Sequence, residues 1–146
     1  MEAAYEFTKA YVKERKAFGK TIVSYNCSKL VFMGKWHVFF KSNLQTIQHK
    51  LAEVKTDTAM ARCFTDRAMQ MYEDGDLDYT TASMSKYWVT DKNNEVCSKC
   101  LQMFGGWGYM WEYPIARMFA DSRVYSIYGG SNEIMKELIA RQGGIM

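Results

Sequence analysis

Apolar positions recur along this chain in steps of three and four, the period of an α-helix laid against a core. The clearest run is Leu44, Ile47, Leu51, Val54, Thr58, Ala61, Thr65, Ala68 and Tyr72, a single stripe about eight turns long. "YEDGDLD" at 72–78 interrupts it, with Gly75 as the turn, and a further helix is predicted from about Tyr79 to Phe104. Upstream, "AAYEFTKAYVKERKAFG" predicts a first helix with apolar positions at 4, 7, 11 and 18, closed by Gly19. Downstream, Pro114 opens a short helix to about Ala120. Ser131 stands as the cap of a last helix reaching about Gln142, with Glu133 in its first turn and Lys136 and Arg141 towards its end.

No segment shows a convincing strand alternation. Helices of this length joined by short turns predict an all-α fold, an antiparallel four-helix bundle. One stretch departs from the pattern: "SYNCSKLVFMGKWHVFFKSN" at 24–43 is rich in Tyr, Phe, Val and Trp and poorly periodic. It reads as an irregular insertion between the first two helices. The whole of residues 1–146 reads as one helical domain carrying that insertion.

Composition narrows the classes. Apolar residues make up 48% and charged residues 24%, so a packed core is expected rather than disorder. The formal charge of +3 is spread along the chain without a basic run, which argues against nucleic acid as a partner. No stretch approaches the roughly 20 apolar residues of a membrane span. Cys27, Cys63, Cys97 and Cys100 have neither signal peptide nor disulfide-framework spacing, which fits a reducing compartment. Cys97 and Cys100 form a CxxC with only His37 and His49 as further soft ligands. A buried pair outweighs a metal site there, and no metal-ligand set is assigned. No Ser/His/Asp or Cys/His arrangement, HExxH or phosphate loop appears.

Chemistry concentrates in three elements: "ERKAFGK" (14–20), "QMFGGWGY" (102–109) and "IYGGSNEIMKELIAR" (127–141). Two of them set glycines beside a helix terminus, where a ligand can approach the backbone closely and N–H groups attract anions. Together they suggest that one end of the bundle accommodates something large and anionic.

These elements, in this order and with "EYPIAR" between the last two, resemble the C-terminal helical domain of the flavin-dependent acyl-CoA dehydrogenases, and the wording of "GGWGYMWEYPIAR" is most similar to the mitochondrial long-chain-specific branch. The resemblance covers about residues 5–23 and 44–142. It implies FAD as cofactor, with Arg15, Phe18 and Gln45 as contacts to the dinucleotide. It implies that Gln102, Met103, Phe104, Gly105 and Gly106 cradle the FAD of a neighbouring subunit. Ser131, Asn132 and Glu133 match further FAD contacts, and Gly129 and Gly130 match the substrate-side wall. It also implies fatty acyl-CoA as substrate in the complete enzyme, self-association as dimer or tetramer, electron-transfer flavoprotein as partner, and a mitochondrial matrix location. No transit peptide is recognisable in the sequence.

The family's reaction takes a proton from the carbon beside an acyl thioester with a carboxylate base and passes a hydride to the flavin. Many members carry that glutamate directly after the tyrosine of the "IYxG" element, where this chain has Gly129. Others carry it upstream of "ERKAFG", at a position this chain is read as starting too late to include. No residue is therefore assigned as catalytic, and the expectation is a domain fragment that is not a competent dehydrogenase alone. The rival reading is a non-catalytic helical module, or truncated isoform, that pairs with full-length subunits. Between Lys20 and Gln45 lie twenty-four residues where the family has about five, and an apolar insertion there is expected to disturb the helices around the cofactor.

Overall fold

A computed structural model describes residues 1–17, 20, 21 and 38–145. Five α-helices account for nearly all of the described structure: α1 (Glu2–Glu14), α2 (Val38–Glu73), α3 (Tyr79–Phe104), α4 (Pro114–Ser122) and α5 (Asn132–Gln142). Single 3-10 turns, Gly105–Tyr109 and Arg123–Ser126, stand on either side of α4. The only strands among the described residues are β1 (Lys16–Ala17) and β2 (Lys20–Thr21), an antiparallel pair in which Lys16 faces Thr21.

α3 is the central element, packed against α1, α2, α4 and α5. It starts where Asp78, extended at φ −81° and ψ 157°, accepts 2.8 Å and 2.7 Å bonds from the Thr81 amide and hydroxyl. This satisfies one of the otherwise unpaired first-turn donors. α2 enters it antiparallel through a tight turn at Gly75, whose φ of +79° suits a residue without Cβ. The Asp76 amide donates 2.8 Å back to the Met71 carbonyl to close that turn.

The core mixes short side chains with a few large ones. Val12, Val54, Val96, Cys100 and Ile115 are fully buried, joined by Ala4, Cys97, Met103 and Phe104. Each buried Val or Ile contributes on the order of 2 kcal/mol. Thr8 and Thr58 are buried too, their hydroxyls returned at 2.7 Å to the carbonyls of Ala4 and Val54 one turn back. That turns a polar side chain into a methyl-bearing core residue with nothing left unpaired.

Three expectations need correcting. The first helix stops at Glu14, not Gly19: Arg15 turns extended (φ −66°, ψ 124°) and Lys16 and Ala17 go into the strand pair. Its buried face accordingly reads Ala4, Thr8, Val12, a strict i, i+4 row, while Phe7 is about half exposed. Residues 38–43, expected in an irregular insertion, form the first turns of α2; residues 24–37 of that segment lie outside the described residues. The stripe along α2 holds at Val54, Thr58, Ala61 and Ala68 and fails at Tyr72, which is exposed.

Candidate functional site

The three elements do not converge on one end of the bundle. They form two loci on α3, one at its C-terminal end and one alongside Lys86 to Asp91, before and at its middle.

The first joins "ERKAFGK" to "QMFGG". The Tyr11 hydroxyl donates 3.2 Å to the Phe104 carbonyl, and the two rings stack with centroids 4.0 Å apart at 14°. An Arg15 guanidinium nitrogen donates to the same hydroxyl, and the guanidinium lies 5.5 Å from the Tyr11 ring centre. The cation is thus fixed at one end while the remainder of its planar donor fork stays unclaimed by any described carboxylate. Tyr113 meets both rings edge-on, at 6.0 and 5.8 Å. Within "QMFGG" the side chains divide: Met103 and Phe104 are buried and form the floor, whereas Gln102, Gly105 and Gly106 are exposed. Gly105 ends α3 at φ +62°, its N–H turned back to the Gln102 carbonyl. A Cβ on Gly105 or Gly106 would meet nothing within 4 Å, so both backbones stand open to an incoming group. Phe18 lies outside the described residues. Gln45 lies within α2, of which only the backbone is described at that position.

The second locus is "YGGSNE". Gly129 and Gly130 both take left-handed φ, +63° and +86°. Gly129 opens onto free space, but a Cβ on Gly130 would come 2.5 Å from the Met135 methyl. Asn132 is buried, and its amide is consumed by α3: Nδ2 donates to Asp91 (2.7 Å), Thr90 (3.0 Å) and the Tyr87 carbonyl (3.3 Å). Its Oδ1 accepts 2.8 Å from Lys86 Nζ, which also donates 2.6 Å to the Gly130 carbonyl. The Asn132 side chain therefore ties α5 to α3, and only its backbone is left to face a ligand.

Ser131 occupies the cap position of α5 without making a cap bond. Its hydroxyl goes to Glu133, whose carboxylate also accepts from its own backbone N–H. The backbone N–H and the Ser131 hydroxyl, with Lys136 and Arg123 nearby, hold that carboxyl below its ordinary range. The α5 terminus thus already carries an anion of its own.

Two residues that organise these loci stand outside the sequence motifs. Tyr11 reads as one more apolar position, and its hydroxyl is the signal available. Lys86, in "MSKYW", gave no signal, because its partners are a backbone carbonyl and an amide more than forty residues away. Cys97 and Cys100 are buried, and burial pushes both thiols up. Among the described residues no three Asp, Glu, His or Cys side chains gather as a metal site, and no helix is long and apolar enough to cross a membrane.

A family model described as "Acyl-CoA dehydrogenase, C-terminal domain" matches residues 40–144. This chain belongs to the acyl-CoA dehydrogenase family. It is 49% identical over 141 residues to the long-chain specific acyl-CoA dehydrogenase, mitochondrial, of Rattus norvegicus, a match covering 97% of the chain and 28% of that relative. Among solved structures, an acyl-CoA dehydrogenase from Geobacillus kaustophilus superposes with a TM-score of 0.81 at 39% identity, over 97% of this chain and 32% of that one. Butyryl-CoA dehydrogenase from Megasphaera elsdenii does so at 0.80 and 28% identity, over 99% and 32%. The chain thus spans about a third of the length of the acyl-CoA dehydrogenases it matches. The helical fold agrees with its place as their C-terminal domain.

Proposed function

We propose that this chain supplies the FAD-contacting and self-associating surface of a flavin-dependent acyl-CoA dehydrogenase acting on long-chain fatty acyl-CoA in the mitochondrial matrix, with electrons passed on to electron-transfer flavoprotein. The observation that carries the reading is the first locus. A guanidinium anchored through Tyr11 stands at the end of α3 that carries the two open glycines, and charge plus close backbone access is what a dinucleotide pyrophosphate requires. Arg15, Gln102, Gly105 and Gly106 would hold that part of FAD, and the backbone of Gly129 to Glu133 would face FAD and substrate at the other locus. FAD, once bound, supplies the hydride acceptor.

The tethers at Lys86 and Phe104 are about 27 Å apart along α3 at 1.5 Å per residue. That spacing favours two half-sites completed by different copies, as the family resemblance implies. Surface suited to such pairing is available: Tyr109, Trp111, Ile127 and Tyr128 all expose more than half of their area.

The test is titration of FAD into the purified chain, followed by flavin fluorescence anisotropy, with sedimentation read in parallel. Wild-type chain should bind FAD in a self-associated form. Arg15→Met should weaken binding roughly tenfold or more, the value of a charge-assisted hydrogen bond. Equal affinity of both proteins would remove Arg15 from the site, and no FAD uptake by wild type would sink the reading.

A further inference from the structure

The geometry points to Lys86 as a positioning residue that sets the shape and donor strength of the Gly129–Ser131 backbone. The inference rests on that backbone being the ligand-facing wall proposed above. Two successive residues with left-handed φ, both glycines, form the least constrained kind of loop, since glycine adopts such torsions without penalty and leaves them as readily. Here the loop is held from two sides. The Lys86 ammonium takes the Gly130 carbonyl at 2.6 Å, and the Met135 methyl fills the place of the missing Gly130 side chain. Gly129, one residue earlier, is left with open space.

Charge matters here as well as reach. The same ammonium donates 2.8 Å to Asn132 Oδ1, and the other end of that amide donates 2.7 Å to the Asp91 carboxylate. Asn132 is therefore polarised between a cation and an anion, and the buried amide is held in one orientation. Lys136 lies 5.3 Å from the Tyr87 ring centre and pins the next turn of α5 to the same stretch of α3. A cation on the Gly130 carbonyl polarises the whole peptide group, whose N–H belongs to Ser131. That N–H becomes a stronger donor towards whatever lies against the wall. Lys86 reaches this locus from α3 and is the only cation that the described hydrogen bonds place on the loop.

The experiment compares wild type, Lys86→Met and Lys86→Arg by amide hydrogen exchange and by FAD titration. Lys86→Met should speed exchange in residues 127–134 about tenfold while segments 4–12 and 96–104 keep their protection. It should weaken FAD about tenfold, and Lys86→Arg, which keeps a cationic donor, should recover most of both losses. Unchanged exchange in 127–134, equal loosening of every segment, or unchanged FAD affinity alongside a loosened loop would each overturn the inference. Localised loosening with rescue by arginine, in a chain whose wild type takes up no FAD, would uphold the clamp and overturn the cofactor reading instead.

Discussion

Tyr11 and Phe104, ninety-three positions apart, are joined twice: ring on ring at 4.0 Å and hydroxyl to carbonyl at 3.2 Å. The stack belongs to the core, and the hydroxyl belongs to the surface, because it is also where Arg15 is anchored.

Tyr11→Phe separates these two roles. The stack survives, the Phe104 carbonyl loses its partner, and Arg15 loses its anchor. Stability should fall by about 1 kcal/mol, some 3 °C in a thermal melt. FAD affinity should fall further than that small loss of fold explains. A melt and a titration on the same sample check both. An unchanged affinity would mean that Arg15 needs no fixing.

Gly105 and Gly106 should respond differently to alanine. Gly105→Ala forces a side chain into φ +62° and should cost about 1–2 kcal/mol of stability. Gly106 has no such torsion and has room for a Cβ, so Gly106→Ala should leave the urea midpoint nearly unchanged. Its methyl would nevertheless stand on the open backbone, so the FAD titration should weaken while the melt does not.

Asp78 gives a pH signature. The Thr81 hydroxyl and amide lower its carboxyl from the ordinary 3.8, so the folded value lies below the unfolded one. Its contribution is full above the unfolded pKa and is lost as pH falls through the folded one. The difference in urea midpoint between wild type and Asp78→Ala should therefore hold steady from pH 7 to about pH 5. Below about pH 4 it should shrink. A difference that grew in acid would contradict the cap.

The cysteines should separate by burial. Cys63 is exposed on α2, whereas Cys97 and Cys100 are buried with raised pKa. Iodoacetamide near pH 8 should label Cys63 promptly and the CxxC pair only in denaturant, as peptide mapping would show. Rapid labelling of the pair in the native chain would reopen a redox or metal role.

Regular helix was legible from sequence because periodicity reports it directly. α3 runs from Tyr79 to Phe104 as its apolar spacing predicts, and α5 begins at Asn132, directly after the expected cap position Ser131. What sequence could not show was the direction of individual side chains inside a motif. "QMFGG" reads as one ligand element, yet Met103 and Phe104 point into the core and only Gln102 and the glycines face out. "SNE" reads likewise, yet Asn132 faces α3. Nor could it show that a helix would yield to a two-residue strand pair at Lys16, because that pairing depends on Lys20 and Thr21 folding back. Nor does a glycine pair in the sequence show which of its members is open: Gly129 faces free space, whereas Met135 fills the place beside Gly130.

α3 also has the character of a ruler. One rigid rod carries Lys86 near its start and Phe104 at its end, so the distance and angle between the two loci are fixed by residue count alone. Inserting one residue between Thr90 and Val96 would turn one locus by about 100° relative to the other. Inserting seven would bring the faces back within about 20° but part them by about 10 Å more. The surface of α3 can therefore vary in chemistry far more freely than the helix can vary in length.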